Sequence, residues 1–342
     1  MSNSKTTDGY SSEMTAHAGH ESVASVVWDN HACMPLRPAD QSFLPELNRH
    51  RRAGAHIVML NVGCGNDSAE QIFAMLTSLR SWIAQRPNDY LLIESLADIS
   101  RTVSEQKLGI GFDIEGTAFL SDQLDRLQQF HELGVKWISL AYNKNNLAAG
   151  GCQDDDKGLT PFGKQLLCDL GKVGVVACAS HTGYRSAREA IDASPTPVIF
   201  SHSNPRALCD HPRNIPDDLI RACANRGGVI GINGVGIFLG GNDALADRVV
   251  RHIEYVAELV GIQYVGLGLD YVFDQKELAD FVAANPEVFP ADLGYGRAMS
   301  LLKPNHLVDI SAALDRRGFA SGEIASVLGM NWVRHAHTVW RA

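Results

Sequence analysis

No stretch of the 342-residue chain approaches the roughly 18 uninterrupted apolar residues of a membrane-spanning helix, which excludes such a span. Basic residues are outnumbered, 30 Lys and Arg against 39 Asp and Glu. The net charge of −9 is spread along the chain, with no basic run to track phosphates, so nucleic acid is not an expected partner. There is no CxxC pair among the seven cysteines, and an odd, sparse set does not make a disulfide scaffold. Cys168, Cys178 and Cys223 sit in apolar segments and read as reduced core thiols. No GxGxxG spacing marks a nucleotide loop, and GGNDALAD reads as a helix entry capped by Asn242 or Asp243. Residues 1–22 are rich in Ser, Thr and His and lack the apolar core of a secretion signal; they read as a flexible tail on a cytoplasmic protein, with one domain over 23–342.

What is present is an alternation. Short apolar runs at Ala24–Trp28, His56–Val62, Gly109–Ile114, Lys136–Ala141, Val175–Ala179, Pro197–Phe200, Val229–Asn233 and Tyr264–Leu267 read as strands. Amphipathic stretches lie between them, at Ser121–Leu133, Pro161–Lys172, Tyr184–Asp192, Asp217–Asn225 and Ala244–Val260. Eight β-then-α units without a mid-chain linker predict an α/β protein with a (β/α)8 TIM-like barrel, although a doubly wound sheet gives a similar string. In a barrel the reactive residues leave the C-terminal ends of the strands.

Those ends are unusually polar. The first run continues as VVWDNHACMPLRP, where His31 and Cys33 lie two residues apart and so point to one side of an extended chain. The third strand ends in Glu115, and the fourth runs into Tyr142 and Asn145. Ser180-His181 follows the fifth, Ser201-His202 the sixth, and Asp270 the eighth. One His at a strand end is usually a turn residue, but three with two carboxylates, each after its own strand, have the composition a pair of divalent ions requires. Seven other histidines, His17, His20, His50, His131, His252, His335 and His337, show no such pattern and read as solvated.

The segments IEGTAFL, GLTPFGKQLL, ASHTG, PVIFSHSNPRALCDHPRNIPDDLI, GGVIGING and YVGLGLD, and the closing GFASGEIASVLGMNWVRHAH, resemble in order and spacing the membrane (renal) dipeptidase family of zinc peptidases. The resemblance covers nearly the whole chain after Val23. It implies a metal-dependent hydrolase of barrel type that cleaves dipeptides or similar small amides with two zinc ions, commonly as a homodimer. It assigns His31, Cys33 and Glu115 to one metal, and Glu115, His181 and His202 to the other, with Glu115 bridging. Cys33 stands where the family has Asp; it is either a thiolate ligand or a small filler beside a weakened site. Asp270 matches the residue that transfers the proton of a metal-activated water. Tyr142 falls on the family's carbonyl-polarising His, and a phenol offers one hydrogen bond but no imidazolium proton. Arg213 matches the Arg that grips the substrate carboxylate, a salt bridge to Asp217 or Asp218 being the other reading; Asn145 is a further candidate for substrate contact. The departures at Cys33 and Tyr142 leave room for a relative with one metal or none that catalyses another reaction or only binds a ligand.

Overall fold

The computed structural model describes residues 25–296 and 299–340; the expected tail over 1–22 lies outside them. Nine strands, β1 (Trp28–Cys33), β2 (Ile57–Cys64), β3 (Tyr90–Leu92), β4 (Leu108–Glu115), β5 (Val135–Ser139), β6 (Val176–Cys178), β7 (Ile230–Ile232), β8 (Val265–Leu267) and β9 (Tyr271–Val272), share one parallel sheet. Its spatial order is β6-β5-β4-β2-β1-β8-β7, with β3 beside the start of β4 and β9 beside the end of β1. The two ends of that path meet through Ile199 and Phe200, which bridge Cys178 on one side and Ile230 on the other. Ala179 N–H donates to Ile199 O at 2.8 Å and Gly231 N–H to Phe200 O at 2.7 Å, so eight staves close a ring. That is the expected (β/α)8 arrangement.

The first strand differs from expectation. It runs from Trp28 to Cys33 rather than ending at Trp28, so His31 and Cys33 lie within it. The polar Asp29-Asn30-His31 reads in sequence either as a strand end or as a turn; in the barrel it is strand, and Asp29 accepts from Leu269 N–H at 2.8 Å and pairs with His50 at 3.1 Å. The register against β2 slips between Asp29 and Ala32, a bulge at the rim of the kind found beside functional sites.

The helix Asp217–Asn225 has its expected bounds, whereas Ser121–Leu133 shortens to Arg126–Glu132, the residues before Arg126 forming turns that begin at Ser121, φ 50°. Helix Leu245–Val260 has no side-chain cap: Ala244 occupies the cap position, and Asp243 instead pairs with Arg248. Two helices that the strand pattern passes over, Ala69–Ala84 and Leu96–Ser104, cover β2 and β4; the first carries a Ser68/Gln71 capping box.

The barrel interior is filled by Trp28, Ile57, Met59, Trp137, Val176 and Ile199, and helix Asn331–Val339 stoppers its lower end through Trp332, whose indole donates to Leu267 O at 3.1 Å. The opposite end, where the strands finish, stays open. Close approach at that end depends on two glycines. A Cβ on Gly231 or Gly268 would meet the Ser201 carbonyl at 2.1 or 2.0 Å, so only glycine lets the short stave before His202 lie against its neighbours.

Candidate active site

At the open end, residues from separate staves converge. His31 and Cys33 come from β1, Glu115 from the end of β4, His181 and His202 from the turns after β6 and after Phe200, and Asp270 from the turn after β8. His181 Nε2 and His202 Nε2 lie 2.9 and 3.2 Å from Glu115 Oε1, and His31 Nε2 lies 3.6 Å from the same oxygen. Cys33 Sγ is 3.5 Å from His31 Nε2, and Asp270 Oδ1 is also 3.5 Å from it. Three overlapping ligand-capable sets result: His31, Cys33 and Glu115; Glu115, His181 and His202; and His31, His202 and Asp270.

Each ring is fixed from behind. His31 Nδ1 meets Asp113 Oδ2 at 3.3 Å, and Asn61 donates to the other Asp113 oxygen at 3.1 Å. His181 Nδ1 meets Asn143 Oδ1 at 2.8 Å, and His202 Nδ1 meets Ser201 Oγ at 2.8 Å. Asn233 donates to Asp270 Oδ2 at 2.9 Å, which leaves Oδ1 turned to His31. Such outer partners set the tautomer that aims the Nε2 lone pairs at a common point. Asn143, His181 and Asp270 are all left-handed, at φ 58°, 66° and 58°, half of the non-glycine residues with positive φ among those described. Strained backbone concentrated at one mouth marks a functional centre.

The electrostatics need a cation. Glu115 Oε1 is buried and makes no hydrogen bond, although three imidazole nitrogens stand around it. Burial opposes the charge on Glu115, yet the neighbouring His31 and His181 hold it well below the usual carboxylate range. Burial lowers His181 to about 4, with Arg213 acting in the same direction, and burial lowers His202 to about 3. Burial also presses His31 down, but Asp113, Cys33 and Glu115 together carry it well above 6.5. Burial pushes the Cys33 thiol up to about 12. Three imidazoles and a carboxylate gathered around one orphaned oxygen offer a donor set that could hold a metal ion.

Above the cluster is a cavity of about 270 Å³. Tyr142 lines it and stacks on His181, centroids 4.5 Å apart; an aromatic arc continues through Phe289 and Tyr295 to Phe238, over which Arg213 lies at 5.3 Å. Arg213 is buried, and neither terminal nitrogen has a partner; Asp217 is engaged by Tyr255, not by Arg213. Of the sequence candidates only Asn145 stands apart. It is exposed and absent from the cavity wall, its amide bound to Gly151 N–H and Asp155 O within its own loop. Asn143, two residues earlier, takes the inward position. Sequence reading also passed over Asp113, although it lies two residues before Glu115 and so on the same strand face.

The family model for membrane dipeptidase, peptidase family M19, matches residues 18–284. An uncharacterized dipeptidase of Schizosaccharomyces pombe is 30% identical over 234 residues, 67% of this chain and 51% of that one. The dipeptidase aclJ of Aspergillus oryzae is 29% identical over 241 residues, 65% of this chain and 57% of that one. The chain thus spans about half the length of the curated relatives it matches. A solved amidohydrolase from Pseudomonas aeruginosa superposes with a TM-score of 0.85 at 26% identity, over 92% of this chain and 97% of that chain. No helix of the described residues is long and apolar enough to cross a membrane. The match over most of the sequence, carried by a closed barrel with ligand-capable residues at its mouth, places this chain in the membrane dipeptidase family, peptidase family M19.

Proposed function

We propose that the chain is a zinc-dependent hydrolase that cleaves the amide bond of a dipeptide or similarly small substrate bearing a free carboxylate. The observation that carries this is the buried, unpartnered Glu115 Oε1, with His31, His181 and His202 around it, on the floor of a cavity whose wall holds an unpaired Arg213. His31, Cys33 and Glu115 hold one ion in this reading; Glu115, His181 and His202 hold a second. Imidazole, thiolate and carboxylate together suit zinc. When bound, the metal supplies Lewis acidity and a water acidified toward neutral pH.

The chain's own groups do the rest. Arg213 pairs with the substrate carboxylate through its forked donors. The aromatic arc of Tyr142, Phe289 and Tyr295 covers the bound molecule and excludes water. Asp270, held by Asn233 through one oxygen, takes a proton at Oδ1 and returns it to the leaving amine. The Tyr142 hydroxyl, kept protonated well above its ordinary pKa first by burial, donates one hydrogen bond toward the reacting carbonyl. A cytoplasmic location fits seven cysteines that are all unpaired, and a homodimer completes the reading.

The test is metal content and dipeptide hydrolysis on one sample. About two zinc equivalents per chain with turnover supports the hydrolase. One or none, without turnover, supports a diverged ligand-binding relative, which Cys33 in place of the family's Asp favours. Light scattering of the same sample reads the oligomeric state.

A further inference from the structure

We propose that Asn143 is a substrate-binding residue: its Oδ1 holds His181, and its Nδ2 donates to the substrate's carboxylate beside Arg213. The inference rests on the dipeptide-hydrolase reading of the site. Asn143 lines the cavity, is fully buried and is held in the left-handed conformation. With His181 Nε2 turned to the ligand cluster, Nδ1 carries the ring proton, so the amide must present its oxygen to the ring. The Cys152 thiol donates to that same oxygen at 3.4 Å, in keeping with this orientation of the amide. Nδ2 is therefore left over. It is buried and has no partner.

It is not alone, since both terminal nitrogens of Arg213, on the wall of the same cavity, are unpartnered. Arg213, Asn143 and His181 line the same cavity. Buried donors on two residues of one cavity wall without a protein acceptor call for a ligand with spread negative charge. The outer partners of the other rings sharpen the point. His31 is backed by the Asp113 carboxylate and His202 by a hydroxyl, whereas His181, on the Arg213 side, is backed by a neutral amide. A carboxylate at position 143 would serve the ring equally well but repel an anion held by Arg213.

That contrast supplies the experiment. Asn143→Asp keeps an acceptor for His181 and removes the donor. The probes are L-Ala-L-Phe and its C-terminal carboxamide, which lacks the anion. Expected are unchanged zinc content, a KM for the free dipeptide raised about tenfold or more with kcat nearly kept, and a preference shifted toward the carboxamide. Calorimetry on metal-free protein should show the same selective weakening of binding for the free dipeptide. Equal effects on both probes, or none, would overturn the proposal and leave Asn143 a positioning residue for His181 alone. Should Asn143→Asp not fold, Asn143→Ala reconstituted with excess zinc reads the same probe ratio: a ratio equal to wild type overturns the proposal, a fall in discrimination supports it. If the wild type binds the dipeptide without cleaving it, calorimetry still decides the contact, so failure of the hydrolase reading shows separately.

Discussion

At the scale of single residues, Cys33 is the departure with the largest chemical consequence. Its thiol is pushed up to about 12 by burial and must lose its proton to bind a metal, so its affinity should fall with falling pH more steeply than that of a carboxylate. Cys33→Ser is expected to lose about one zinc equivalent while the ion at His181 and His202 stays, because a hydroxyl is a far poorer ligand than thiolate. Cys33→Asp should restore the stoichiometry and flatten the pH dependence of zinc affinity between pH 6 and 8. Equal metal content in wild type and Cys33→Ser would make Cys33 a filler. The sequence carried most of these residues, since six ligand-capable or proton-transferring side chains converge where their strands end. It misplaced others for a physical reason: burial is tertiary. Cys168, read as a core thiol, is exposed, while His50, His252 and His335, read as solvated, are buried: His50 against Asp29, His252 on the inner face of helix Leu245–Val260, and His335 against the Pro197 carbonyl.

At the scale of elements, apolar periodicity revealed the staves but not their polar continuations. The ligand-capable residues of β1 are its last ones, so in sequence it looks like an apolar run whose polar continuation reads equally as a strand end or a turn. The two-residue stave Ile199–Phe200 shows the reverse: its run was legible, while its brevity follows from the close approach that Gly231 and Gly268 allow. Gly268→Ala should therefore cost about 1–3 kcal/mol, as a Cβ forced onto the Ser201 carbonyl pushes the stave outward. It should also reduce zinc at the His181 and His202 pair more than at His31, which metal titration with thermal unfolding would measure together. The stopper helix Asn331–Val339 carries a pH sensitivity. Burial lowers His335 to about 4, and its Nε2 faces the Pro197 carbonyl at 3.3 Å. Because the unfolded chain takes up this proton near 6.5 and the folded one only near 4, the contribution of His335 is present above pH 6.5 and is lost as pH falls toward 4. His252 and His211, also lowered to about 4 by burial, act in the same sense. His335→Gln should make the decline of denaturant-measured stability between pH 6.5 and 4.5 shallower without abolishing it.

At the scale of the whole molecule, the ligand-capable residues are distributed around the ring rather than along one element. β1, β4, β8 and the turns after β6 and Phe200 each contribute, so a bound ion ties together staves far apart in sequence. Without it, the ring closes by only two short bridges at Ile199 and Phe200, and a buried carboxylate oxygen lacks any hydrogen bond. A metal held by these residues would therefore contribute to the stability of the barrel as well as to its chemistry. An ion that binds the folded chain and not the unfolded one stabilises by about 2.7 kcal/mol at a free concentration 100 times its Kd, and the effect grows with the logarithm of concentration. Chelator should accordingly lower Tm, and graded zinc should raise it along a logarithmic course. Cys33→Ser should retain only the part of the rise due to the ion at His181 and His202. Removing residues 1–22, which precede the first stave, should leave both the zinc-dependent rise in Tm and the turnover unchanged, because the ligand-capable set found among the described residues begins at His31. Differential scanning fluorimetry across zinc concentrations, run on wild type, Cys33→Ser and the truncated chain, measures all three. A Tm indifferent to zinc in wild type would mean that the ring is held by its hydrogen bonds and its Trp-lined interior alone, and that the convergence at the mouth is not a resident metal site.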